Sequence, residues 1–346
     1  LSRFHRKSLK AKIIALTGSN GKTTTKEVLK SVLFQKYKTQ ATEGNLNNHI
    51  GVPLTLLSFD TDTEIGIVEM GANHGGEIKE LCELALPDYG LITNFGKAHL
   101  EGFGSLEGVV KAKTELFEHL VNKEGALFIN EDDPIQKEWK TKSKYYSFGE
   151  DLNATCVIEY LTKSGNPLKI KFQDKIINSN LNGFYNFTNI GAAIAIGKYF
   201  EISNENINFG VSAYSPSNNR SETITQGTNR ITLDAYNANP TSMSLSIENF
   251  AKWHGDGWLV LGDMFELGEA SPVEHQAIVD LVQRTNMEER CILVGKHFGG
   301  TAWQGLQFAT TGDLERHWKE NGAPKDAAIL LKGSRGIALE QLLPLL

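Results

Sequence analysis

One continuous run, Gly18-Ser19-Asn20-Gly21-Lys22-Thr23, has the residue types and the spacing to hold a phosphate. Gly21 lets the backbone turn and approach an anion with no side chain in the way. The helix expected next offers free N–H groups and the positive end of its dipole. Lys22 would reach terminal phosphates, and Thr23 would offer a hydroxyl to Mg²⁺. The common spacing is G-x-x-x-x-G-K-[ST]. Here Leu16 takes the first glycine position, so the match is to a shortened G-x-x-G-K-T form. A strand-like run, Ile13–Leu16, precedes the loop, and a helical pattern from about Thr23 to Phe34 follows it. That context separates it from an ordinary turn.

Other residues could serve the same ligand. Glu69 closes the apolar run Ile65-Gly66-Ile67-Val68. A carboxylate at the C-terminal end of a parallel strand sits on the ligand edge of the sheet. It reads as a direct or water-mediated Mg²⁺ contact, or as a solvated strand end. Met70 to Gly76 forms a polar loop suited to approaching a substrate. His99 ends a further strand-plus-loop, and a lone histidine is more often structural than a ligand. Lys111 and Lys113, on the helix leading to Phe117, read from spacing alone as a solvated face.

The elements that must position these groups fall into two α/β blocks. In the first, Ile13–Leu16, Ile65–Glu69, Leu91–Thr93 and Ala126–Ile129 are buried strands, and Leu106–Leu120 has helical spacing. This alternation implies a mostly parallel sheet covered on both faces. From about Lys140 the texture changes. Tyr145–Phe148, Ala154–Tyr160, Leu168–Phe172 and Lys175–Leu181 read as short strands of a small β appendage, followed by a helix over about Tyr185–Phe200. Ser215 to Arg220 has linker composition. Beyond it, strands at Ile231–Ala235, Trp258–Leu261, Cys291–Val294 and Ala328–Leu331 alternate with helices near Ser242–Trp253, Pro272–Arg284 and Leu314–Glu320. The expected fold is therefore α/β throughout. A phosphate-loop sheet domain with the appendage spans residues 1–215, and a Rossmann-like C-terminal domain spans residues 216–346.

The bulk properties exclude some classes. The 346 residues suffice for two domains at roughly 100–200 residues each. A net charge of −6 and the lack of a basic stripe argue against a nucleic-acid partner. Three cysteines with no CxxC spacing make a metal knuckle or disulfide framework unexpected and suit a reducing cytoplasm. No apolar run approaches the ~18 residues of a membrane helix. The chain opens on Leu1 and a basic stretch that leads almost at once into the first strand, as a piece of a longer protein would.

Several phrases together resemble the Mur ligases, a family of ATP-dependent amide ligases. Thr17-Gly18-Ser19-Asn20-Gly21-Lys22-Thr23-Thr24-Thr25 resembles their ATP loop. Glu43 to Pro53, Glu69 to His74 and His99 to Gly104 are similar to one branch of the family, as are Asp234 to Pro240, Gly262 to Gly268 and Lys332 to Arg335. That branch adds D-alanyl-D-alanine to UDP-MurNAc-tripeptide in peptidoglycan precursor synthesis, through an acyl phosphate, with ATP cleaved to ADP and phosphate. The family normally begins with a domain that binds the uridine nucleotide, and nothing here corresponds to it.

The resemblance implies roles residue by residue. Gly18, Ser19, Asn20, Gly21, Lys22, Thr23 and Thr24 bind ATP phosphates. Thr23, Glu69 and His99 help hold Mg²⁺, and Lys113 matches the lysine that the family carbamylates as a ligand for a second Mg²⁺. Carbamylation needs a neutral amine, so a depressed pKa is expected there; Lys111 is the alternative register. Asn186 and Asn189, at i and i+3, resemble the pair near the adenine, although without the resemblance an N-cap and a surface asparagine are the favoured reading. Arg220 resembles the arginine that closes onto the phosphates, and Asp234 the nucleotide-contacting aspartate of the C-terminal domain. Catalysis would rest on Lys22, Lys113, His99 and Arg220. Asn45, Asn47, Asn73, His74, Asn237, Asn239, Lys332, Ser334 and Arg335 are candidates for substrate contact, the last three as a site for a small carboxylate. The resemblance also implies a cytoplasmic monomer without nucleic-acid or membrane partners.

Overall fold

The computed structural model describes residues 1–161, 167–216 and 219–346. Two positions of the expected linker, 217 and 218, lie outside the described residues. The chain divides into two compact units: Leu1–Gly96 with Gly102–Tyr214, and Lys97–Glu101 with Ser215–Leu346. The short Lys97–Glu101 stretch thus groups with the second unit, a detail absent from a single boundary near residue 215.

The first unit is built on strands β1 (Lys12–Thr17), β2 (Thr39–Ala41), β3 (Ile65–Glu69), β4 (Tyr89–Ile92), β5 (Ala126–Asn130), β6 (Lys144–Gly149), β7 (Cys156–Tyr160), β8 (Lys169–Phe172) and β9 (Lys175–Asn178). They form one nine-stranded sheet in the order β2-β3-β1-β4-β5-β6-β7-β8-β9. All pairings from β2 to β7 are parallel. The β7–β8 and β8–β9 pairs are antiparallel. The β appendage is present as this antiparallel edge. The strand expected at Tyr145–Phe148 belongs instead to the parallel run, with Phe128 opposite Tyr146.

Burial on both faces explains the continuous apolar run of β1. Ile14 and Leu16 enter a core with Val28, Leu29 and Ile190, from helices Lys22–Leu33 and Phe187–Tyr199. Ile13 and Ala15 point to the opposite core, with Leu81, Leu116 and Phe117 from helices Glu77–Ala85 and Leu106–Asn122. The Leu106–Asn122 helix starts where Ser105 Oγ accepts a hydrogen bond from Gly108 N. This is an N-cap that fixes the register of everything after it.

The second unit holds β10 (Glu222–Gln226), β11 (Asn229–Asp234), β12 (Trp258–Gly262), β13 (Cys291–Val294), β14 (Leu306–Phe308) and β15 (Ala328–Lys332), in the order β10-β11-β15-β12-β13-β14. Only β10 runs antiparallel to its neighbour. Its main helices are Pro240–Trp253, Ser271–Arg284 and Thr311–Asn321. Among the described residues, no helix is long and apolar enough to cross a membrane.

Candidate active site

The loop from Gly18 to Thr23 joins the C-terminal end of β1 to the helix Lys22–Leu33. Gly18 and Gly21 have φ of +144° and +79°. A Cβ at Gly18 would overlap Thr93 Oγ1, and one at Gly21 would overlap Asn189 Oδ1. Neither position has room for a side chain. The loop is tied to the residues after β4. Ser19 N donates to Asn94 O at 3.0 Å, Asn20 N to Asn94 Oδ1 at 3.0 Å, and Thr93 Oγ1 to Asn20 O at 2.6 Å. Lys22 Nζ donates to Gly18 O at 2.7 Å and to Ser19 O at 3.3 Å, so the ammonium lies across the loop itself. Thr23 and Thr24 occupy the first turn, half-buried.

Glu69 ends β3 beside this loop, and its carboxylate is almost fully buried. Oε1 accepts from Asn47 Nδ2 at 2.8 Å and from Thr23 Oγ1 at 3.3 Å. Oε2 is buried without a hydrogen-bond partner, and Lys26 Nζ stands 3.8 Å away. A buried acceptor with unused lone pairs next to a hydroxyl suits a hard cation such as Mg²⁺. Among the described residues no three His, Cys, Asp or Glu side chains gather as a metal cage.

The structure separates the two lysines of the Leu106–Asn122 helix. Lys111 is exposed, as the solvated-face reading expects. For Lys113 that reading fails, because the side chain is only 1% exposed. Its Nζ donates to Ala72 O at 3.3 Å and lies 5.1 Å from the centre of the Phe103 ring. Burial, reinforced by the charge of Lys22, pushes the Lys113 ammonium down to about 7, against the opposing pull of Glu77 and Glu115.

Around these groups, Asn47 O also accepts Gly71 N at 2.7 Å, which locks its loop to the end of β3. Asn45 is exposed. The backbone N–H groups of Asn73 and His74 donate to Glu77 Oε2, while their side chains face outward. Asn186 and Asn189 are buried, so neither is the surface asparagine of the alternative reading. Asn189 Nδ2 donates to Asn186 Oδ1 at 2.8 Å, and Asn189 Oδ1 accepts from Thr25 Oγ1 at 3.1 Å. The pair therefore sits directly behind Gly21.

The remaining candidates belong to the second unit. Asp234 ends β11 and is ion-paired with the buried Lys332, which ends the adjacent β15. Ser334 N donates to Asp263 O, and Ser334 Oγ accepts Phe265 N at 2.9 Å. The guanidiniums of Arg220 and Arg335 lie 3.6 Å and 5.2 Å from the centre of the Tyr236 ring. Asn237 Oδ1 accepts Ala238 N, and Asn239 caps the Pro240–Trp253 helix in a capping box with Ser242. His99, with φ of +52°, pairs through Nδ1 with Glu266 Oε2 at 2.6 Å. Sequence reasoning did not single out Asn94, Lys26 or Tyr236. For Lys26 a signal existed, the i,i+4 spacing from Lys22; Asn94 and Tyr236 offer none locally.

The chain belongs to the Mur ligase family of ATP-dependent ligases. Residues 16–197 match the Mur ligase middle domain, and residues 219–335 match the Mur ligase glutamate ligase domain. The sequence is 35% identical to the UDP-N-acetylmuramoyl-tripeptide–D-alanyl-D-alanine ligase of Bacillus subtilis (strain 168), over 99% of this chain and 77% of that protein. It is 34% identical to the Escherichia coli (strain K12) protein of the same name, over 99% and 78%. Among solved structures, MurF from Acinetobacter baumannii superposes with a TM-score of 0.86 at 30% identity, covering 99% of this chain and 78% of that one. MurF from Thermotoga maritima, solved in complex with ADP, gives 0.86 at 25% identity over 99% and 81%.

Proposed function

We propose that this chain joins D-alanyl-D-alanine to the terminal carboxylate of UDP-MurNAc-tripeptide, converting ATP to ADP and phosphate, as a cytoplasmic monomer. The observation that carries this reading is the match along 99% of the chain to relatives named for those two substrates. A carboxylate and an amine do not condense unaided at neutral pH. Transfer of the terminal phosphoryl group of ATP to the carboxylate breaks one phosphoanhydride bond and forms an acyl phosphate. The amine of D-alanyl-D-alanine then attacks the acyl carbon and loses a proton, and phosphate leaves with its bonding pair. The protein contributes positioning and charge stabilisation. Lys22 and the N–H groups of the first helical turn offset the charge of the phosphates.

Mg²⁺, expected as two ions, supplies further charge neutralisation when bound, and Thr23, Glu69 and a carbamylated Lys113 would hold it. An amine titrating at about 7 is neutral in a large share of molecules at neutral pH. Attack of neutral Nζ on CO₂ forms an N–C bond and releases one proton, which turns the neutral amine into an anionic oxygen ligand.

Phosphate release with UDP-MurNAc-tripeptide, with and without D-alanyl-D-alanine, tests the reading. Release that requires both substrates is expected. Release that requires L-lysine, diaminopimelate or L-glutamate instead would reassign the acceptor, and AMP with pyrophosphate would overturn the acyl-phosphate route.

A further inference from the structure

Lys26 lies one helical turn beyond Lys22, with its side chain fully enclosed. Its ammonium donates to Thr42 O at 2.6 Å and to Gly44 O at 3.4 Å. It pairs with Glu27 Oε1 at 3.0 Å and with Glu69 Oε2 at 3.8 Å. Those partners come from three segments: the phosphate-loop helix, the turn that leads to Asn47, and the end of β3. The same turn is tied to the carboxylate strand a second time, because Thr42 Oγ1 accepts Glu69 N at 3.0 Å. The two oxygens of Glu69 are thus treated differently. Asn47 and Thr23 satisfy Oε1, whereas Oε2 has no hydrogen bond and faces only a fixed positive charge.

We propose that Lys26 sets the order of binding, holding the Glu69 carboxylate electrostatically so that a divalent cation enters with the nucleotide and not before it. The inference rests on the reading of Glu69 as a metal ligand. A cation approaching Oε2 is repelled by an ammonium that cannot withdraw, since two backbone carbonyls and Glu27 hold it in place. The negative charge of nucleotide phosphates at the adjacent loop reverses that balance. Removing the ammonium would leave Glu27 and Glu69 without the cation they share, and would convert the site into one that takes metal alone. Lys26 acts here as a positioning residue, touching neither substrate nor reacting atoms.

Titration of the chain with Mn²⁺, followed by the loss of free-ion electron paramagnetic resonance signal with and without ADP, reads this directly. Wild type should bind Mn²⁺ weakly alone and tightly with ADP. Lys26→Gln, which keeps a donor for Thr42 O, and Lys26→Met should bind Mn²⁺ without nucleotide about tenfold more tightly than wild type. Lys26→Arg, which keeps the charge, should behave as wild type. Adding Glu69→Gln to Lys26→Gln should abolish the gain. Unchanged nucleotide-free affinity in a folded Lys26→Gln protein overturns the proposal. So does a wild-type protein that binds Mn²⁺ equally well with and without ADP, a result that depends on no variant. If Glu69→Gln alone leaves Mn²⁺ binding with ADP intact, it is the assignment of Glu69 as a ligand that fails.

Discussion

Lys113 and Lys332 are buried to the same extent, 1% exposed, one in each compact unit. Lys332 lies against Asp234, whereas Lys113 has a carbonyl acceptor and makes no ion pair among the described residues. The carboxylates repeat the contrast. Asp263 in the second unit accepts the N–H groups of His297 and Phe298. Glu69 in the first unit leaves Oε2 without a hydrogen bond. Burial without partners is costly and persists where something else is to be bound. In the second unit Lys332 and Asp263 are matched closely by their neighbours, whereas in the first Lys113 makes no ion pair among the described residues and Glu69 Oε2 has only the more distant Lys26.

The largest expected effect tests the open side of that contrast. Lys113→Ala should lower turnover by at least about 10²–10³-fold, the scale of losing a transition-state charge stabiliser. Steady-state rates would show it, and wild-type turnover would remove Lys113 from the chemistry. Next, Lys332→Met should destabilise the fold by about 3 kcal/mol, because it leaves Asp234 without its buried cation. The same change at Lys113 should have the opposite sign, about 1–2 kcal/mol of stabilisation at pH 7 without CO₂, since it removes a buried amine that makes no ion pair among the described residues. Thermal melting of the two variants side by side would break the contrast if both shifted the same way.

A pH series sharpens it further. Folded Lys113 holds its proton only to about pH 7, whereas the unfolded lysine holds it to 10.5. The unfolded state binds more protons across that window, so wild-type stability should rise from pH 7 towards 10.5. Urea unfolding of Lys113→Met should lack this contribution. The smallest effect is expected for Asn47→Ala, which removes one of two donors to Glu69 Oε1. It should raise the Mg²⁺ concentration for half-maximal activity by about tenfold, with little change in melting temperature.

These differences were only partly legible in the sequence. Ile65–Glu69 and Cys291–Val294 coincide with β3 and β13 because short buried apolar runs end sharply at polar or glycine-rich loops. The phosphate loop was legible for the same local reason. What braces it was not, since Asn94 is 74 residues from the Asn20 N–H it accepts. The strand at Lys144–Gly149 carries two tyrosines and follows a polar stretch, a local pattern that matches the appendage. Its parallel pairing with β5 depends on register that local pattern does not contain. Lys113 is the clearest case. Its helix face reads as solvated next to Lys111, whereas Ala72, 41 residues earlier, and Phe103, from the short helix Leu100–Phe103, stand against its ammonium. Short elements such as Thr39–Ala41 and Asn204–Ala213 lack enough periodic residues to stand out.

The assignment of Lys97–Glu101 to the second unit has a practical consequence. The backbone passes from one unit to the other at three places: after Gly96, after Glu101 and after Tyr214. A protease that nicks the chain after Tyr214 therefore does not yield separable halves. The N-terminal fragment still carries Leu100, seated in the core of Ala238, Met243 and Met264, and would keep hold of the other fragment until that core is denatured. Expressed alone, residues 215–346 would lack that plug and show an apolar socket to solvent.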